Sequence, residues 1–289
     1  MTRLGITSVS NARLKTIRKL RRRGAGDAFL VEGYRQLQHA LAGGARVREL
    51  YVAPALHLGD GERRLVALAE RGGAEVVELG TEAFRSVARR ARPDGLLALV
   101  ERLPTSLRTI RLPAAPLVLV AEGIERPGNL GTIVRTACGA GADAVIACDA
   151  PARLLHPDTV QGSVGSIFRI PVAEATTGAA IAWLRGRGIR IAVATPAADD
   201  SYWELDACGP FALVVGSERN GVSRAFVEAA DDAVRIPMGA AVDSLNVAVA
   251  AGVVLFEATR QRAATSSGES SASEPATASA SASASAAGG

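Results

Sequence analysis

This chain of 289 residues has little that suits metal or redox chemistry. Its three cysteines, Cys138, Cys148 and Cys208, form no CxxC pair, and its three histidines, His39, His57 and His156, share no ligand spacing, so neither a disulfide nor a metal centre is expected. Aromatic residues make up only 4%, and with 48% hydrophobic residues the core has to be built from Ala, Val and Leu, which points to α/β packing. No apolar run reaches the ~18 residues of a membrane span. The opening MTRLGITSVSNARLK lacks the apolar centre of a signal peptide, so the expectation is a cytoplasmic protein with no membrane partner. Lysine is nearly absent: Lys15 and Lys19 are the only two. With abundant Ala and Gly, that bias reads as a GC-rich genome, and arginine richness alone is no argument for RNA.

The distribution of charge says more than the formal total of +4. Through Leu103 there are 19 Lys and Arg against 11 Asp and Glu; beyond it there are 14 against 18. The stretch NARLKTIRKLRRR carries Arg13, Lys15, Arg18, Lys19, Arg21, Arg22 and Arg23, with Leu14, Ile17 and Leu20 three apart on one helical face. A basic amphipathic helix of this kind is either a phosphate-contacting surface or a solvated face. Arg85, Arg89, Arg90 and Arg92 form a second basic cluster. Helices and strands alternate through residue 106, and the Pro-rich residues 107–116 read as a linker. From 117 to 263 short apolar strands alternate with helices, the pattern of a mainly parallel sheet covered on both faces. From 264 to 289 the Ser/Ala/Gly-rich sequence reads as a disordered tail.

GAGADA (139–144) matches a loose dinucleotide fingerprint in the wrong context, because its glycines close a helix and open a strand. More informative are three stretches at expected strand ends: EGIERPGNLGTIVRTA, VVGSERNGVS and IPMGAAVDSLNVAVA. Each alone has an ordinary reading, with glycines turning the chain, Asn129 capping a helix, and Ser244 capping a small-residue helix from Leu245 to about Arg260.

In their order and spacing the three stretches resemble the signature motifs of the SpoU (TrmH-like) RNA ribose 2′-O-methyltransferases, of the trefoil-knotted superfamily. TSVSNARLKTIRKLRRR with FLVEG is similar to the small ribosomal-protein-like RNA-binding domain of many members. The Arg/Ala-rich composition also resembles that of members acting on ribosomal RNA in antibiotic resistance. The resemblance implies an α/β trefoil-knot methyltransferase domain after a small α/β RNA-binding domain, S-adenosyl-L-methionine as methyl donor, and a homodimer through residues 117–262. Carried over by motif position, Thr195, Gly216, Ile236, Met238, Leu245 and Asn246 line the cofactor pocket. Arg135 becomes the catalytic arginine, with Asn129, Glu218, Ser244 and Asn246 around the target ribose. Guanidinium stays protonated at physiological pH, so Arg135 is expected to anchor phosphate and stabilise oxyanion charge, with the proton acceptor left open. The chain departs from the family at Gln161 and Gly162, where a basic residue and Ala are common. That puts a phosphate contact at 161 in doubt and leaves Arg153 or Arg169 to compensate. Large-subunit ribosomal RNA is the expected substrate. A transfer RNA methyltransferase, and a non-catalytic RNA-binding or ribosome-assembly factor, are the alternatives.

Overall fold

The computed structural model describes residues 4–23, 26–239 and 244–271. A first sheet holds β1 (Leu4–Ile6), β2 (Ala28–Glu32), β3 (Val47–Val52), β4 (Glu75–Leu79) and β5 (Leu96–Glu101), in the order β1-β4-β3-β5-β2. β5 runs antiparallel to β2 and β3, and the remaining pairs are parallel. The helices of this part are α1 (Ala12–Arg23), α2 (Tyr34–Ala42), α3 (Asp60–Arg71) and α4 (Thr81–Arg85). α1 starts where the Asn11 side chain accepts from Arg13 N–H at 2.9 Å, a normal N-cap. Leu14 and Ile17 are then buried with Ile6, Leu30, Val77 and Phe84.

The second sheet is wholly parallel and has seven strands, in chain order β6 (Leu117–Glu122), β7 (Ala144–Cys148), β8 (Val172–Ala175), β9 (Arg190–Ala194), β10 (Asp200–Ser201), β11 (Phe211–Val215) and β12 (Asp232–Arg235). Their order across the sheet is β10-β12-β9-β11-β6-β7-β8. α5 (Pro127–Gly139), α6 (Pro157–Ser163), α7 (Thr177–Arg185), α8 (Arg224–Ala229) and α9 (Val247–Ser271) cover it. Alternation along β6 divides the core: Leu117, Leu119 and Ala121 join the cluster with α5 and α9, while Val118 and Val120 join that with α7 and α8. The path leaves β11, goes outside β9 as β12, and returns across the sheet as α9 to pack on α5 and β11. This is the knotted, mainly parallel α/β domain that the motifs imply. GAGADA closes α5 and opens β7, as its context requires.

Four details depart from the sequence reading. α9 starts at Val247, capped by Asn246, whose Oδ1 accepts from Ala248 N–H at 3.0 Å; Ser244 lies ahead of the helix and does not cap it. Asn129 stands inside the first turn of α5, which opens on Pro127 with Arg126 as N-cap. FRIPVA (168–173) reads as one strand in the sequence, but β8 begins only at Val172, after a 3-10 turn Ser166–Phe168 and Pro171, which has no N–H for a ladder. α9 also continues to Ser271, so the beginning of the expected tail is helical, and residues 272–289 lie outside the described residues.

The two sheets share apolar packing. Phe29 of β2 stacks on Phe168 with ring centroids 6.1 Å apart, and residues of both parts belong to one continuous buried cluster. The turn beneath is tight. Val164 (φ 50°) and Gly165 (φ 90°) are both left-handed, and a Cβ on Gly165 would lie 2.4 Å from the His39 ring. Residues 107–112 are not a free tether, since Ile110 is buried and Leu107 and Leu112 pack on the α7 side of the second sheet.

Candidate functional site

At the carboxyl ends of β9, β11 and β12, the usual ligand edge of a parallel sheet, three loops and the start of α9 enclose a cavity of about 480 Å³. Thr195, Gly216, Ile236, Met238, Leu245 and Asn246 all line it, together with Ser244 and Glu218. Val215, Val234, Ile236, Leu245 and Ala250 make apolar walls; Thr195, Ser217, Glu218, Ser244 and Asn246 supply polar atoms. Ser217 and Gly221, from the VVGSERNGVS stretch, also line the cavity, and nothing in the sequence marks Ser217 as a lining residue. They pair as an antiparallel bridge, and Ser217 Oγ accepts from Asn220 N–H at 3.1 Å, which folds the loop back on itself. Gly221 takes φ 63° in that turn. Gly216 meets a harder limit: a Cβ there would lie 2.0 Å from the Gly221 carbonyl carbon, so only glycine fits the cradle.

A chain of side-chain amides crosses the polar rim. Asn246 Nδ2 donates to Asn129 Oδ1 at 3.4 Å, and Asn129 Nδ2 donates to Glu218 Oε1. Three residues separated by up to 117 positions are thereby joined, from α5, the loop after β11 and the cap of α9. Behind them, buried Glu122 at the end of β6 accepts from Thr177 Oγ1 at 2.6 Å and Ser223 N–H at 2.7 Å, which ties the starts of α7 and α8 to the same edge. Arg135 is not brought to this cavity. Six residues along α5 from Asn129, it stands ~9 Å further along the axis and ~120° around it, exposed and without a hydrogen bond or ion pair among the described residues.

The basic helix divides into two sets. Arg13 pairs with Glu75 at 2.8 Å and Glu49 at 3.7 Å, and hydrogen bonding to Glu75 raises its pKa. Arg18 binds Ser86 Oγ and Val9 O, at 2.7 and 2.8 Å. Arg21 is half-buried against Glu32, Val87 O and Ala88 O, and burial lowers its pKa. Lys15, Lys19 and Arg22 are exposed and fall at i, i+4 and i+7 on one face. The Arg23 side chain lies outside the described residues. Of the second cluster, Arg85 pairs with Glu82, Arg89 with Asp158 of α6, and Arg90 with Asp94. Buried Glu32 accepts from the backbone N–H groups of Arg89 and Arg90 at 2.9 to 3.1 Å, so it presents Arg89 to the second sheet. Arg153 is committed to Glu174 through two bonds of 3.0 and 2.8 Å; Arg169 is exposed.

At this junction His156 caps α6 by accepting from Asp158 N–H through Nδ1 at 3.2 Å, and burial, helped by Arg89, pushes its pKa down. Glu174 is also displaced: burial pushes it up, but Arg153, Leu154 N–H and Arg102 together pull it below the usual carboxylate value. Among the described residues no helix is long and apolar enough to cross a membrane, and no His/Cys/Asp/Glu group is arranged to hold a metal ion.

The SpoU rRNA methylase family model matches residues 116–256, and the MRM3-like substrate binding domain model matches residues 11–98. The chain is 31% identical over 254 residues to the 23S rRNA (guanosine(2553)-2′-O)-methyltransferase RlmP of Bacillus subtilis, covering 87% of this chain and 97% of that protein. The 23S rRNA (guanosine-2′-O-)-methyltransferase RlmB of Ralstonia nicotianae is 36% identical, over 67% of this chain and 80% of its own length. Among solved structures, the AdoMet-bound rRNA methyltransferase from Sinorhizobium meliloti superposes with a TM-score of 0.80 at 30% identity, covering 89% of this chain and 97% of that one. The SpoU methyltransferase AviRb from Streptomyces viridochromogenes in complex with AdoMet gives 0.79 at 28% identity, over 88% and 98%.

Proposed function

The chain belongs to the SpoU rRNA methylase family, and from that premise we propose that it transfers a methyl group from S-adenosylmethionine to a ribose 2′-hydroxyl of 23S ribosomal RNA. The observation that carries this reading is the convergence at one cavity of six residues picked out by motif position, from three separate stretches. The cavity fits the methyl donor. Its volume lies within the ~300–1,000 Å³ of small-molecule sites. The Gly216 cradle admits a ligand where a side chain would not fit, and the walls are apolar with a polar rim. When bound, the donor supplies an electrophilic methyl carbon on a sulfonium. The protein's own residues do the rest: Ile236 and Leu245 exclude water, the loop at Gly216 and Ser217 offers backbone groups, and the linked Asn129, Glu218 and Asn246 hold the ribose edge.

RNA is held, in this reading, by the exposed Lys15, Lys19 and Arg22 face of α1, with Arg169 as a further phosphate contact nearer the second sheet. Arg13, Arg18 and Arg21 leave the binding set because they brace the first sheet. The site works as a homodimer. Val249 and Phe256, 52% and 55% exposed and seven residues apart on α9, form an uncovered apolar stripe. Between them, a Cβ on Gly252 would lie 3.1 Å from the side chain of Thr136, the neighbour of Arg135, so pairing through this stripe buries it and carries Arg135 toward the other protomer's cavity. There its guanidinium anchors the target phosphate and stabilises oxyanion charge. Such an enzyme works in the cytoplasm on assembling ribosomes, and it confers resistance only if the methylated nucleotide lines a drug site.

The test is transfer of labelled methyl from S-adenosylmethionine to deproteinised ribosomal and transfer RNA, followed by mapping of the alkali-resistant linkage. Label on 23S RNA with turnover abolished by Arg135→Ala and cofactor binding kept supports the reading. No transfer to any RNA, despite cofactor binding, favours the assembly-factor alternative, and label on transfer RNA alone replaces the substrate.

A further inference from the structure

A ribose hydroxyl becomes a competent nucleophile only as its proton leaves, and no acceptor has yet been assigned. Resting on the reading above, we propose that the Glu218 carboxylate takes that proton. Among the described residues lining the cavity, Glu218 is the one side chain able to accept a proton near neutral pH; the others are apolar, amide or hydroxyl. Arg135 cannot compete, since a guanidinium has no free lone pair at physiological pH and this one stands outside the cavity of its own protomer.

The amide chain supplies the second half of the argument, because it sets the orientation of the carboxylate. Ala248 N–H at the start of α9 holds Asn246 Oδ1 at 3.0 Å, which turns Asn246 Nδ2 toward Asn129 Oδ1. Asn129 is thereby left to present its Nδ2, a donor, to Glu218 Oε1. One backbone N–H thus fixes two amide orientations, and what reaches Glu218 is a group suited to an ionised carboxylate. Oε1 is occupied, and Oε2 makes no hydrogen bond among the described residues. In the reaction the proton passes from the ribose 2′-oxygen to Oε2 while that oxygen forms its bond to the methyl carbon. The carbon–sulfur bond breaks with its electron pair kept by sulfur, and the Glu218 acid afterwards releases the proton to water. Asn129 and Asn246 act through Glu218 as positioning residues.

The full-length protein and the RNA methylated by the wild type suffice for the experiment. Glu218→Gln keeps an oxygen for Asn129 but cannot take a proton. Its single-turnover rate should fall about 10²- to 10⁴-fold, while calorimetric binding of S-adenosylmethionine and filter binding of RNA stay within about twofold of wild type. Glu218→Ala should regain rate in proportion to added formate, and Glu218→Gln, whose side chain fills the space, should not. A Glu218→Gln rate within about threefold of wild type overturns the proposal, as does a tenfold or greater loss of cofactor affinity, which would make Glu218 an anchor for the donor's ammonium. Asp243, outside the described residues, is the control: loss on Asp243→Asn without loss on Glu218→Gln moves the base there. If the wild type itself methylates no RNA, the reading of the reaction fails, and these variants do not enter into it.

Discussion

The basic helix α1 and the cavity at the strand ends use polar side chains in opposite ways. In α1 a dense run of charge is divided: Arg13, Arg18 and Arg21 are held by Glu75, Ser86 and Glu32, and among the described side chains Lys15, Lys19 and Arg22 face outward. At the cavity a few unremarkable polar residues, scattered along the chain, are all turned to one place. Local density of charge therefore says little about which residues meet a ligand, whereas position at the ends of parallel strands says a great deal.

The largest effect expected from breaking this contrast is at Gly216. Gly216→Ala forces a methyl group onto the Gly221 backbone, and overpacking of that kind costs about 1–3 kcal/mol, which is about a 5- to 150-fold loss of S-adenosylmethionine affinity by calorimetry where the strain is felt at the cradle. Gly178→Ala, on a helix with nothing within 4 Å of the new Cβ, should leave both affinity and melting temperature intact or slightly raised. Equal losses in the two variants would show that the cradle is not special.

Next in size is the division within α1. Changing Lys15, Lys19 and Arg22 together to Ala should weaken RNA binding and lower the slope of log affinity against log salt by about two to three, with the melting curve unchanged. The matching change at Arg13, Arg18 and Arg21 should lower the melting temperature by about 5 °C or more, because buried Glu32 loses a charged partner. If the second set changes the salt slope as much as the first, the division is wrong.

The smallest effect sharpens the contrast at the junction between the sheets. His156 and Glu174 both have folded pKa values below their ordinary ones, 6.5 and 4.5. Each therefore contributes stability that is complete above its ordinary value and is lost as pH falls through the folded value. Thermal melts from pH 7 to 4 should show a first decline below about 6.5, as His156 gains a proton and ceases to accept from Asp158. His156→Asn, which can cap without titrating, should flatten that part of the profile. A profile unchanged by the substitution removes His156 from the account.

Much of this architecture was legible in the sequence because it rests on short-range pattern. LVLVA, AVIAC and FALVV are continuous apolar runs of strand length, and the structure buries every residue of them. β1 and β10 were not read, since strands of three and two residues carry no period. The start of α9 was misplaced because Ser and Asn cap equally well, and only the Ala248 bond decides for Asn246. The fate of the arginines was out of reach for a different reason: Arg18 finds Ser86 68 residues away, a pairing that no local window contains. The cavity residues were found through the order of three motifs, whereas the amide chain joining them depends on rotamers and had no sequence signal.

Arg262 lies on α9 far from the cavity, and its guanidinium donates to the carbonyls of Ala207 (2.9 Å), Ala115 (2.8 Å), Pro116 (3.1 Å) and Gly209 (2.5 Å), at the opposite edge of the sheet. Between Val247 and Arg262 the helix spans ~22 Å at ~1.5 Å per residue. α9 is thus a strut of set length, bolted at its foot, and its head forms one wall of the cavity. A change at the bolt would be felt as play at the head, so the dimensions of the cavity are gauged from the far side of the molecule.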